Sequence, residues 1–226
     1  MIGFRHIVYQ IVSDYGSLEI QLESPLTGNE PARPGSDCHW AQLERHQCRD
    51  CPYQESHYCP VAINLQKYID VFSNLASFDL VEATVVLDDK IRVKGNLPAQ
   101  QLLSSIIGMI IANSDGCSRT HILKPMVAFH RPFASQEESI YRSIANAAIT
   151  YHLQPSQDIS LEHYITSHYE NLRKVNIGLV KRLQDVHPDW EAVINAIVNL
   201  DLFVKEILYN AKNDYPDLNY LRDLTE

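Results

Sequence analysis

The residues best suited to chemistry lie between Cys38 and Pro60, in C-H-W-A-Q-L-E-R-H-Q-C-R-D-C-P-Y-Q-E-S-H-Y-C-P. Four of the five cysteines (Cys38, Cys48, Cys51, Cys59) and three of the ten histidines (His39, His46, His57) fall within this stretch. The fifth, Cys117, follows Gly116 in a turn sequence much further along. Thiolates and imidazoles at this density are metal ligands. Cys48-x2-Cys51 is a knuckle spacing, in which two sulfurs face one ion while amides of the turn donate to them. Cys59 can return to the same point across a short loop and supply a third ligand. A structural zinc site takes four ligands in a tetrahedron, so three residues compete for the last position. Cys117 comes first, because a turn after a buried helix can present a thiolate inward. His46 is second, crowded by its neighbour Cys48. Cys38 is third, directly after a proline-rich loop.

Zinc is the expected metal for such a set, and a 4Fe-4S cluster is the alternative. Proline follows Cys51 and Cys59 directly, a feature also found beside cluster ligands. A redox dithiol at Cys48 and Cys51 fits less well. That chemistry wants the pair at a helix N-terminus, and the helix here begins after Cys59. The nucleobase deaminase pattern places proline before its C-x2-C, whereas here proline comes after. The bland alternative is a set of buried free thiols with a chance C-x2-C.

A second candidate is H-I-L-K-P-M-V-A-F-H-R, which puts His121, Lys124, His130 and Arg131 close together as a pocket for an anion or small ligand. Against it stands a solvated polar face with Met126, Val127 and Phe129 packed inward. Asn195, Asn199 and Asp201 interrupt an otherwise apolar segment and either line a pocket with His163 or His168 or form an exposed stripe. No Gly-rich phosphate loop and no H-E-x2-H motif is present. No residue is assigned a catalytic role.

These residues need elements to position them. Residues 4–12 are β-branched and aromatic, and 18–23 (L-E-I-Q-L-E) alternate strictly, which predicts a hairpin with one buried face. Residues 24–37 carry three prolines and two glycines and read as a loop. Trp40 to His46 reads as a helical turn. From Val61, apolar residues recur at helical spacing, and Pro60 suits the first turn of that helix. Residues 80–87 and 91–94 flank D-D-K as a second hairpin. Beyond Pro98 the chain reads as helices over 99–113, 120–130 (started or kinked at Pro125), 135–152 with a Ser135/Glu138 capping box, 159–186, and 188–212 opened by Pro188. The last two form a long helical hairpin, and the polar tail from Asn213 is expected to fray. The fold class is therefore α+β: a four-stranded, mainly antiparallel sheet from two hairpins, a Cys-rich metal knuckle, and a C-terminal helical bundle. Residues 1–98 form the β-rich region with the knuckle and 99–226 the helical region of one compact unit.

Composition bounds the function. A chain of 226 residues, 45% hydrophobic and 21% charged, builds a full core without staples. The cysteines are thus free for chemistry. A net charge of −9 with no basic run argues against nucleic acid and against an anionic membrane surface. The N-terminus lacks the features of a secretory signal, and no apolar run is long enough to span a bilayer. A cytoplasmic location is expected, where cysteines are ligands or buried thiols rather than disulfides.

The arrangement resembles an uncharacterised family of bacterial proteins of about this length. These combine a short β-region with H-Q-C-x2-C-P, Y-C-P-V-A, and a helix ending in a Gly-Cys turn followed by L-x-P-M-x-x-F-H. The matching residues are Trp40, His46 to Pro52, Tyr58 to Ala62, Gly116, Cys117, Leu123, Pro125, Met126, Phe129, His130, Pro132 and Phe133. The resemblance covers most of the chain. It implies Cys117 as the fourth ligand, leaves Cys38 as a departure from the pattern, and implies no activity. The expected function is a metal-binding, structural-zinc protein of regulatory or protein-interaction type. A protein partner, or self-association through the C-terminal helical hairpin, is expected with it. An iron–sulfur redox or sensor protein, and an enzyme with a pocket near His121–Arg131, are the alternatives.

Overall fold

The structure, a computed structural model, describes residues 6–23, 38–53, 57–156 and 158–224. The loop expected over 24–37 lies outside them. Two hairpins form the sheet. Strands β1 (His6–Ser13) and β2 (Gly16–Glu23) make the first, and β3 (Leu80–Leu87) and β4 (Ile91–Pro98) the second. They join side by side through antiparallel β1–β3 pairing, with Tyr9 opposite Val85, giving the order β2-β1-β3-β4. Period-two alternation puts Ile7, Tyr9 and Ile11, Ile20 and Leu22, and Val81, Ala83, Val85 and Leu87 in the core.

Helix α1 (Pro60–Ile69) follows the cysteine stretch, with Cys59 as its N-cap and Pro60 at its first position. Helix α2 (Ala99–Asn113) carries Leu102, Leu103, Ile106, Ile107, Ile110 and Ile111, all buried, so it is apolar nearly all round and sits in the middle of the molecule. It packs against α6 on one side and touches β3 and β4 on the other. The short α3 (Lys124–Ala128) leads to α4 (Gln136–His152), which opens on the expected capping box. Ser135 Oγ accepts from the Glu138 amide, and the Glu138 carboxylate accepts from the Ser135 amide. Helices α5 (Leu161–Val186) and α6 (Glu191–Lys212) form the long hairpin. One contiguous set of buried apolar residues runs from Ile7 to Ala211.

The structure differs from the sequence reading in local places. Between Trp40 and His46 the helical turn shrinks to a 3₁₀ turn over His39–Ala41. The segment expected as helix from residue 120 is 3₁₀ over Ser118–Leu123 before α3 begins. Strand β4 runs on to Pro98, because its pairing with β3 continues past Lys94. Helix α6 begins at Glu191 rather than at Pro188, after a turn in which the His187 and Trp190 rings stack at 3.8 Å. The tail folds back as a 3₁₀ turn, Pro216–Leu218, and a single-turn α7 (Tyr220–Asp223). The Asn210 side chain bonds both the carboxylate and the amide of Asp217, at 2.7 and 3.1 Å, and Leu218 is buried. One side chain that satisfies both groups outweighs the polar composition of the tail.

Candidate functional site

Cys48 and Cys51 bracket a tight turn in which the Cys51 amide donates to the Cys48 carbonyl at 3.1 Å and Asp50 takes a positive φ of 54°. The loop after Cys51 is closed by a short antiparallel contact. Gln42 bridges Tyr58, Leu43 N donates to His57 O at 2.8 Å, and Cys59 N donates to Ala41 O at 2.8 Å. This contact returns Cys59 toward the knuckle. Cys117 arrives from the other half of the chain, at the start of the 3₁₀ turn after α2. Gly116 before it has φ +89°, and a Cβ there would sit 3.2 Å from Pro60 Cβ. Glycine thus lets the two segments touch, which sets Cys117 beside the Cys59-Pro60 corner.

Cys48, Cys51, Cys59 and Cys117 line one cavity of about 20 Å³. Cys38 and His46 do not line it. Cys38 is buried in the apolar core, and His46 is half-exposed with Nε2 3.5 Å from the Asp185 carboxylate. Helix α5 forms the opposite wall through Val175, Gly178, Leu179 and Arg182. A Cβ on Gly178 would lie 3.2 Å from Cys48 Sγ, so the helix backbone rests against the sulfur.

Burial pushes the Cys48 thiol up to about 11, and the neighbouring Cys59 adds to the rise. Burial likewise raises the Cys117 thiol. The Cys48 thiol donates to the Lys174 carbonyl at 3.3 Å, and the Cys51 thiol to the Tyr53 carbonyl at 3.6 Å. Among the described residues no three His, Cys, Asp or Glu side chains are arranged to hold an ion as they stand. The backbone gathers the four cysteines around one space, while these hydrogen bonds keep two of the sulfurs turned to carbonyls.

Two buried arginines border the same cavity. Arg182 is 1% exposed and donates to the carbonyls of Trp40, Gln42 and Leu43. Arg119 donates to the carbonyls of Arg49 and Asp50, and its Nη1 is buried with no hydrogen-bond partner among the described residues. Among the described residues, no carboxylate lies within ion-pair distance of either guanidinium. Buried charge is normally paired or bound to a metal site. Nothing in the sequence separates these two arginines from surface ones.

A second, larger cavity of about 610 Å³ lies between α2, α3, α4, α5 and α6. His130 and Arg131 line it, while His121 and Lys124 do not. His121 is exposed, and Lys124 pairs with Asp115 at 2.6 Å. His130 Nε2 lies 2.7 Å from the hydroxyl of fully buried Tyr9, which is 3.2 Å from Ser105 Oγ. Burial lowers the His130 imidazole from 6.5 to about 4, and nearby Arg142 adds to the shift. Asn199 lines the cavity. Asn195 instead bonds Ser77 and Glu191, and Asp201 pairs with Arg173 and Lys205, so among the described residues these groups form no network with His163 or His168. Sequence reasoning missed Asn176 in this wall. Its only signal is a polar residue inside the apolar stripe of Leu172, Val175 and Leu179.

A family model described as a domain of unknown function (DUF6901) matches residues 6–222. No curated protein and no solved structure matches the chain.

Proposed function

We propose that this chain, which belongs to the DUF6901 family, is a metal-binding protein that holds one zinc ion through Cys48, Cys51, Cys59 and Cys117. The ion's role is structural, and the chain serves as a regulatory or interaction module rather than an enzyme. The carrying observation is the pair of buried arginines around four cysteines, with no carboxylate at ion-pair distance from either among the described residues. Four thiolates on a divalent ion carry a net charge of about −2, and Arg119 with Arg182 offsets it. Arg119 Nη1, which has no hydrogen-bond partner among the described residues, is a donor for a thiolate sulfur. Deprotonation removes the two thiol hydrogen bonds to carbonyls, which frees those sulfurs to turn toward the ion. A space of about 20 Å³ is of the order of one water-sized sphere. That favours a single ion over a four-iron cube. The ion would clasp the knuckle to the segment after α2, adding folding free energy that the apo chain lacks.

The test is elemental analysis of freshly purified protein, handled without oxygen and without chelator. About one zinc per chain is expected, lost in Cys117→Ser and retained in Cys38→Ser. A colourless protein without metal overturns the reading. Iron with visible absorbance replaces it by the cluster. Self-association through the α5–α6 hairpin is part of the proposal, supported by Val198, Leu202 and Tyr209, which are exposed on one stripe of α6. A monomeric mass by light scattering at high concentration removes that part. Among the described residues, no helix is long and apolar enough to cross a membrane.

A further inference from the structure

The two buried arginines beside the cysteines use their donors differently. Arg182 gives Nη1 to the carbonyls of Trp40 and Gln42 and Nη2 to that of Leu43, so both terminal nitrogens are bound to backbone. Arg119 gives Nη2 to the carbonyls of Arg49, at 2.7 Å, and Asp50. Those are the two residues between Cys48 and Cys51. Its Nη1 is buried and has no hydrogen-bond partner among the described residues. A buried charged N–H without an acceptor is costly. On the wall that Arg119 shares, the polar side chains besides the arginines are Tyr53 and the four cysteines. Burial raises the Cys48 and Cys117 thiols, and the Arg119 charge acts against that rise at both, which places the guanidinium close to these sulfurs.

Arg119 follows Cys117 by two residues, in a turn that is itself held. Thr120, fully buried, donates its amide and its hydroxyl to the Cys117 carbonyl, at 3.1 and 2.9 Å. One side chain thus ties the segment that carries Cys117 to the turn that carries Cys48 and Cys51. Resting on the zinc reading, we infer that Arg119 is the positioning residue of that centre. Nη2 fixes the Cys48–Cys51 turn against the Cys117 segment, and Nη1 donates to a ligand thiolate, so Arg119 raises the affinity for the ion without ligating it. A thiolate accepts a hydrogen bond far better than a thiol, so this bond belongs to the metal-bound centre. It governs how tightly the knuckle holds the second half of the chain.

Cobalt(II) and zinc, each added to the full chain, test this. The thiolate-to-cobalt charge-transfer band reports electron density on sulfur, and competition against a chromophoric chelator gives the zinc affinity. Arg119→Met removes every donor at similar length. It should weaken zinc binding roughly 10- to 100-fold, the range for hydrogen bonds that orient metal ligands. It should also move the band to lower energy, because a thiolate that loses a hydrogen bond donates more strongly to the metal. Arg182→Met removes a charge but no donor to sulfur, and should move the band less. Circular dichroism checks the fold of each loaded variant. Where Arg119→Met does not fold, Arg119→Gln, shorter and uncharged, is read by the same two measurements. A wild type that takes up neither metal overturns the zinc reading and this inference with it. A wild type that binds, with a folded Arg119 variant of equal affinity, overturns this inference alone. So does weakened affinity with an unmoved band, which would make Arg119 only a brace for the turn. An equal shift in Arg182→Met would make charge rather than the hydrogen bond the cause, and overturns it too.

Discussion

Replacing His130 with Gln should remove a pH dependence that the structure builds into the fold. The imidazole is packed on the cavity wall, 2.7 Å from the hydroxyl of Tyr9. Burial holds it near 4 against an ordinary value of 6.5. Between these values the unfolded chain binds a proton at this position and the folded chain does not. Stability therefore rises with pH across that window. It is lost progressively as the pH falls from about 6.5 toward 4, and little changes outside those limits. The full shift corresponds to about 3 kcal/mol, of which roughly 2 kcal/mol is gone by about pH 5. Glutamine stays neutral throughout and keeps an amide that can meet the Tyr9 hydroxyl. Urea melts of both proteins at about pH 7 and about pH 5 give the comparison. The wild type should lose about 2 kcal/mol more than His130→Gln, or roughly 5 °C in Tm. Carboxylates titrate in both proteins, so the difference isolates the histidine. Identical pH dependence in the two would refute a neutral, buried His130. A wild type relatively stabilised by acid would refute the sign.

Gly178→Ala places a Cβ 3.2 Å from Cys48 Sγ. Alanine gains about 1 kcal/mol in a helix interior, yet we expect a net loss of about 1 kcal/mol from overpacking, and a higher Tm would contradict the close contact. Arg182→Met strips a guanidinium that three carbonyls of the knuckle segment share. We expect a loss of about 3 kcal/mol with faster proteolysis within residues 38–60, and wild-type stability would show that the guanidinium is dispensable. Ser135→Ala removes one half of the capping box of α4. Chemical denaturation should register about 1 kcal/mol, and no change would mean that tertiary packing alone holds that helix end.

Much of the fold was legible because it is encoded between neighbours. Alternation over residues 80–87 reproduces β3 residue for residue, and the apolar run of α2 and the Ser135/Glu138 box mark those helices correctly. The misses fall where one contact overrides local pattern. Pro188 looked like a helix start, but the chain turns once more and stacks His187 on Trp190 before α6 begins. The polar tail looked loose, and Asn210 ties it down through Asp217.

The sequence by itself determined the sheet of two hairpins, the helical half and the knuckle spacing of Cys48, Cys51 and Cys59, because strand and helix periods and short ligand spacings are local. Only the tertiary structure decided that Cys117 shares a cavity with those three while Cys38 lies in the core and His46 faces Asp185. That meeting depends on Gly116 lying against Pro60, a contact between residues far apart in the chain. Tertiary structure also decided that Arg119 and Arg182 are buried beside the thiols and that Asn176 is buried in the wall of a large cavity. An arginine or asparagine on a helix reads the same in sequence whether its face meets water or protein. A cavity is the gap left where several helices fail to fill space between them, and no single stretch of sequence carries that.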